Sequence, residues 1–152
     1  MPLILPTPFG APLLIEADAE AIVTCDFRPR ARTSAGRPAH PVLREASVQL
    51  RAYFAKRLRR FDLPLALHGT PLQVAVWQFV SQLETGELIS YGDVARAIGS
   101  PGAHRGVAAA MGRSPYDLLI PAHRVIGADG KIKGAGPRSI RRLLLAFEGI
   151  TL

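Results

Sequence analysis

The ten residues from Leu118 to Gly127, LLIPAHRVIG, set Pro121, His123 and Arg124 around Ala122. An imidazole exchanges protons near neutral pH, and a guanidinium is a fixed fork for carboxylates and phosphates, so the stretch carries a base and an anion anchor. The position such a base would activate holds a methyl group, which has neither a lone pair nor an ionisable proton. Nucleophilic chemistry at Ala122 is therefore excluded. The single cysteine, Cys25, lies in an apolar strand-like stretch far upstream, where a small buried hydrophobe is its expected role. One cysteine makes neither an internal disulfide nor a thiolate zinc site, so the expectation is a reducing cytoplasm and no metal or other cofactor. His123 has a second reading as half of a buried hydrogen-bonded pair that shapes its loop, and Arg124 as either structural or phosphate-directed.

A chain of 152 residues, 48% hydrophobic and 20% charged, is long enough to bury a core. Its 19 Lys and Arg against 12 Asp and Glu give a net charge of +7, which favours a polyanionic partner, most simply nucleic acid; an arginine-rich proteome would produce the same excess. No run approaches the ~20 apolar residues that cross a bilayer, and no leader pattern opens the chain, so no membrane role is expected. LLIEADAEAIVTCDF predicts two strands around an acidic turn, followed by a Pro, Gly, Ser and Arg-rich loop over 28–41. From Val42, the spacing of Leu43, Ala46, Leu50, Tyr53, Phe54 and Leu58 predicts an amphipathic helix with a basic back, and Phe61 to Leu67 an extended segment that Pro64 confines to an edge or to a linker. Thr70, Pro71 and Gln73 form a capping-box signature for a helix to about Leu83. Ser90 and Asp93 repeat it for YGDVARAI, which Gly99 stops before Ser100-Pro101-Gly102 turns into AHRGVAAAMG. Helix, tight turn, helix is the outline of a helix-turn-helix, and Asp129-Gly130 ahead of Lys131-Ile132-Lys133 adds a basic wing. A last helix starts near Pro137, presents Ile140, Leu143, Leu144 and Phe147, and ends at Gly149. The fold class expected is α+β, a small N-terminal α/β lobe over 1–68 and a C-terminal winged helix-turn-helix domain over 69–152. The small residues Gly106, Ala108, Ala109 and Ala110 would let the second of those helices approach a minor groove closely, or they are simply good helix formers packed against the lobe.

Taken together, SYGDVARAIG, the spaced Arg105 and Met111, IPAHRVIG and LLLAFEG strongly resemble, in one order from Thr70 to Gly149, the C-terminal domain of O6-alkylguanine-DNA alkyltransferases. TPFGAPLLIEA is similar, more weakly, to that family's N-terminal strand region. In the family the loop is Pro-Cys-His-Arg. Its cysteine takes the alkyl group from a flipped guanine, activated through a water by the histidine, which a glutamate orients. The resemblance puts Ala122, His123 and Glu148 at those positions, the pattern of the alkyltransferase-like proteins. It further implies that Tyr91 crowds the target phosphate, that Arg105 fills the vacated stack and that the carbonyls of Ala122 and Val125 accept from the guanine edge. Met111 would line the pocket, with Gly106, Ala108, Ser114, Pro121, Arg124 and Ala135 completing the DNA- and lesion-facing set. Ser114 replaces the usual asparagine, and Lys133 to Pro137 replaces a tyrosine-serine wall, which implies a pocket open to O6-alkyl groups larger than methyl.

The resulting expectation is that the chain is not an enzyme. It would be a monomeric sensor that flips O6-alkylguanine in double-stranded DNA from the minor groove and marks it for nucleotide-excision-repair damage-recognition proteins, cytoplasmic and nucleoid-associated when bound. Two alternatives stand beside it: an engineered cysteine-to-alanine form of an active alkyltransferase, and a winged-helix transcription regulator.

Overall fold

The structure is a computed structural model that describes residues 1–34, 36–127, 130 and 139–150. The chain forms two compact units, one made of 1–66 with 115–119, the other of 67–114 with 120–152. The expected α+β class holds, with a small sheet unit first and a helical unit second.

In the first unit, β1 (Leu3–Leu5), β2 (Leu13–Ala17) and β3 (Ile22–Phe27) make an antiparallel sheet in sequence order. Register sets Leu3 opposite Ile15 and Ile15 opposite Cys25, so one face carries the buried Leu3, Leu5, Leu13, Ile15 and Cys25. The acidic turn expected between β2 and β3 is closed by Asp18, whose Oδ1 accepts from the amides of Glu20 and Ala21. β1 had no counterpart among the expected elements: it is three residues between Pro2 and Pro6, too short to show a period.

Helix α1 (Pro41–Phe54) buries Leu43, Ala46, Leu50 and Tyr53 and is capped by the His40 ring, which accepts from the amide of Val42 at 3.1 Å. It stops at Phe54, short of Leu58, because the amide of Arg57 returns to the Ala52 carbonyl and that of Lys56 to Tyr53. That double bond is a Schellman closure, with Lys56 at φ 61 in the left-handed place glycine usually takes. The extended segment after it pairs Leu65 with Ile22, and the backbone of Ile22 exchanges bonds with Pro64 and Ala66. Residues 115–119 return to the same edge, where Tyr116 bridges to Cys25 and Asp117 accepts from the Phe27 amide at 3.1 Å.

The second unit is helical. α2 (Pro71–Val80) starts with the full capping box of Thr70 and Gln73, and Leu83 is buried in the turn that follows it. A two-residue strand, β4 (Ile89–Ser90), leads into α3 (Tyr91–Ala97), capped by the Ser90 hydroxyl and stopped by Gly99 at φ 80. After the turn comes α4 (His104–Gly112), and the Trp77 indole N–H donates to the Ala110 carbonyl at 2.9 Å, locking α4 onto α2. β5 (Val125–Ile126) runs parallel to β4, and α5 (Ile140–Phe147) closes the unit. α5 begins under a Ser139 cap rather than near Pro137, and its buried residues are Leu144 and Leu145; Ile140, Leu143 and Phe147 are half-buried. The expected wing, Asp129 and Lys131 to Lys133, and the substituted wall with Ala135 lie outside the described residues.

The left-handed Lys56 gives a test. A side chain there costs roughly 1 kcal/mol, so Lys56→Gly should raise the thermal midpoint in a melting experiment rather than lower it.

Candidate functional site

Three successive turns fix the loop around Ala122. Pro121, at φ −78 and ψ 78, makes an inverse γ-turn in which the Ala122 amide donates to the Ile120 carbonyl at 2.8 Å. A 3₁₀ turn over Ala122–Arg124 follows, with the Arg124 amide bonded to the Pro121 carbonyl at 3.0 Å and the Val125 amide to that of Ala122. Val125 then enters the parallel pair with Ile89. Pro121, His123, Arg124 and Val125 are buried; Ala122 alone in this run is partly accessible. Its carbonyl has a second lone pair beyond the one Val125 uses, and so does any ligand-facing carbonyl in such a turn.

Behind the loop, Glu148 at the C-cap of α5 has a side chain with no solvent exposure. Its Oε2 lies 2.7 Å from His123 Nε2 and 2.8 Å from Arg124 Nη2, while Oε1 accepts from Arg124 Nε at 2.9 Å and from the Gly86 amide at 3.4 Å. Arg124 also donates to the Leu83 carbonyl at 2.7 Å and to the Thr85 hydroxyl at 3.3 Å. Burial pushes His123 below its ordinary 6.5; contact with Glu148 pulls the other way, and the nearby Arg124 and Arg141 add to the lowering. The ring is thus neutral at pH 7. With Nε2–H committed to the carboxylate, Nδ1 keeps the lone pair and is the nitrogen available as a base.

The structure corrects the place given to Arg124 among DNA-facing residues. Its guanidinium is 2% exposed and spends its donors inside the unit, so it cannot reach a phosphate. Thr85, Gly86 and the Leu83 carbonyl, which complete this network, left no signal in the sequence because their role exists only once the turn after α2 folds onto the loop. On α4, Arg105 is exposed and Ala108 half-buried, whereas Met111 is 3% exposed and belongs to the core. A Cβ on Gly106 would come within 2.7 Å of the Leu72 side chain, so its smallness serves the packing of α4 on α2. Tyr91, first residue of α3, and Ser114, whose amide bonds the Met111 carbonyl at 3.3 Å, are half-buried.

Cys25 offers no substitute acceptor. Burial, with Asp117 and Asp26 nearby, pushes its thiol well above 9.0, and Sγ donates to the Asp117 carbonyl at 3.3 Å. Among the described residues no group of His, Cys, Asp and Glu is placed to hold a metal ion, and no helix is long and apolar enough to cross a membrane.

Comparison with known proteins agrees with this geometry over nearly the whole chain. Residues 4–67 match the profile of the 6-O-methylguanine DNA methyltransferase ribonuclease-like domain, and residues 71–150 that family's DNA binding domain. A methylated-DNA–protein-cysteine methyltransferase of Methanosarcina acetivorans is 47% identical over 107 residues, 70% of this chain and 69% of the relative. The crystal structure of Mycobacterium tuberculosis O6-methylguanine methyltransferase superimposes with TM-score 0.78 at 36% identity, covering 97% of this chain and 91% of that one. The same organism's protein in complex with DNA gives 0.75 at 37%, over 94% and 89%. These relatives overturn the expectation that the chain falls outside the enzymes: similarity this high is to proteins named as methyltransferases.

Two outcomes test the network. Glu148→Ala strands a buried guanidinium and should cost about 3–5 kcal/mol in urea unfolding, whereas Glu148→Gln should cost less. Because His123 titrates lower folded than unfolded, the unfolded chain binds more protons just below 6.5, so stability should fall as pH drops through that window; His123→Gln should flatten the dependence.

Proposed function

Because this chain belongs to the O6-methylguanine DNA methyltransferase family, we propose that its second unit engages O6-alkylguanine in duplex DNA at a site built for alkyl transfer, with Ala122 standing at the acceptor cysteine's position. This is the cysteine-to-alanine form of an active alkyltransferase. The observation that carries the reading is the loop itself: a partly accessible Ala122 followed by a neutral, carboxylate-oriented His123 whose base is the free Nδ1.

The two helices supply the binding half. An exposed Arg105 beside small residues suits a helix edge that lies close to a minor groove, its guanidinium filling the stack when the modified nucleotide rotates out. Tyr91 at the start of α3 presses on the phosphate of that nucleotide. Extrusion costs a few kcal/mol, less for a base that pairs badly, and lesion preference arises there without a covalent step.

The chemical half becomes visible on restoring sulfur. In Ala122→Cys, a water carries the thiol proton to His123 Nδ1, the thiolate attacks the alkyl carbon, the sulfur–carbon bond forms as the carbon–O6 bond breaks, and guanine remains with its O6 pair. Glu148 holds the imidazolium that results. Each molecule reacts once.

In a gel-shift experiment the chain with Ala122 should bind a duplex carrying one O6-methylguanine more tightly than the unmodified duplex, and Arg105→Ala should reduce that preference. The Ala122→Cys protein incubated with the methylated duplex should gain one methyl group by mass spectrometry. Equal affinity for both duplexes would remove the lesion reading. Preference without any adduct would instead favour a marker that hands the lesion to nucleotide-excision repair.

A further inference from the structure

Half of the cations lie outside the unit that the proposed function uses. Of 19 Lys and Arg, ten fall within residues 1–66, and five of those, Arg51, Lys56, Arg57, Arg59 and Arg60, occur within ten residues that contain no Asp or Glu. All five are exposed. Only the first sits on α1, where a cation in the last turn complements the helix dipole; the other four follow the helix on a loop.

The loop is closed at both ends. The Schellman turn sends it away from Phe54, and the Gln49 amide clamps its far end, accepting from the Asp62 amide at 2.8 Å and donating to the Asp62 carbonyl at 2.9 Å. Between the clamps the buried Phe61 packs on Tyr53, ring centroids 5.3 Å apart. Four cations are thus crowded onto a pinned loop, where their mutual repulsion is not relieved by spreading out. Lys56 even occupies a left-handed position that glycine would fill without strain, a local rule broken where charge is gained.

We propose that this loop, 55–61, is a docking surface for a nucleic-acid phosphate backbone, separate from the helix-turn-helix and indifferent to lesions. Cations carried on a loop whose ends are already held neutralise phosphates with little backbone ordering cost and release their counterions. The inference rests on the reading that the chain binds DNA.

The test is the triple variant Arg57→Gln, Arg59→Gln, Arg60→Gln, measured against wild type on long duplexes with and without one O6-methylguanine between about 50 and 200 mM salt. The slope of log affinity on log salt should become shallower by about 2 to 3, with both duplexes weakened alike and their ratio unchanged. Melting curves should stay close to wild type, since contacts of exposed cations contribute little to stability. Wild type that binds with a slope the variant shares overturns this inference alone; wild type that binds neither duplex overturns the proposed function with it. A wild type that prefers anionic phospholipid vesicles to DNA, and loses them in the triple variant, overturns the choice of partner.

Discussion

A carboxylate sealed from water is an unstable thing to build around, and Glu148 is sealed completely. Alone it would take up a proton or pull water in. Here it is answered by a guanidinium fork and an imidazole N–H from one loop and by a main-chain amide from the turn after α2. Because ionised partners bond at short range and in fixed directions, the arrangement dictates where the 3₁₀ turn lies relative to α5 and to the turn after α2. Position 122 inherits its orientation from that constraint. The same carboxylate decides which nitrogen of His123 is bare, so the electrostatics of the site and its shape have one origin.

The remainder of the second unit works as a rigid mount. Caps at Thr70, Ser90 and Ser139 settle where three helices start, and each such cap is worth about 1 kcal/mol. Trp77 ties α2 to the carbonyl end of α4, and the absence of a Cβ at Gly106 lets the same two helices close. The helix that presents Arg105 is thereby held from behind, leaving its outer edge uncommitted.

What could be read from the residues divides along a physical line. Local chemistry was legible: the capping box at Thr70, the cap at Ser90, the stop at Gly99, the alternation of β2 and β3 and the amphipathic α1 all declare themselves within a few residues. Features that depend on distant partners were not. Arg124 looks the same on paper whether it faces a phosphate or Glu148, and its decisive acceptor is a main-chain carbonyl at Leu83 that no side-chain pattern encodes. Met111 at helical spacing fits a core as well as a pocket. β1 is too short for periodicity, and the end of α1 turned on a lysine in a glycine's conformation. The pairing of His123 with Glu148 came through likeness to a family, not through spacing; in the structure the two side chains lie 2.7 Å apart.

The path of the main chain near Leu118 has a consequence for dissection of the molecule. Leu118, at φ 65, sits in a tight turn whose amide-to-carbonyl bond spans only Leu119 and Asp117, at the end of five residues that belong to the first unit although the second both precedes and follows them. No single cut therefore separates the two bodies. A fragment starting at 67 would carry Tyr116 and Asp117 away from the sheet edge they bond, and leave the buried Tyr116 as a sticky exterior. Independence of the two halves, natural as it looks on a linear map, stops at a borrowed five-residue segment.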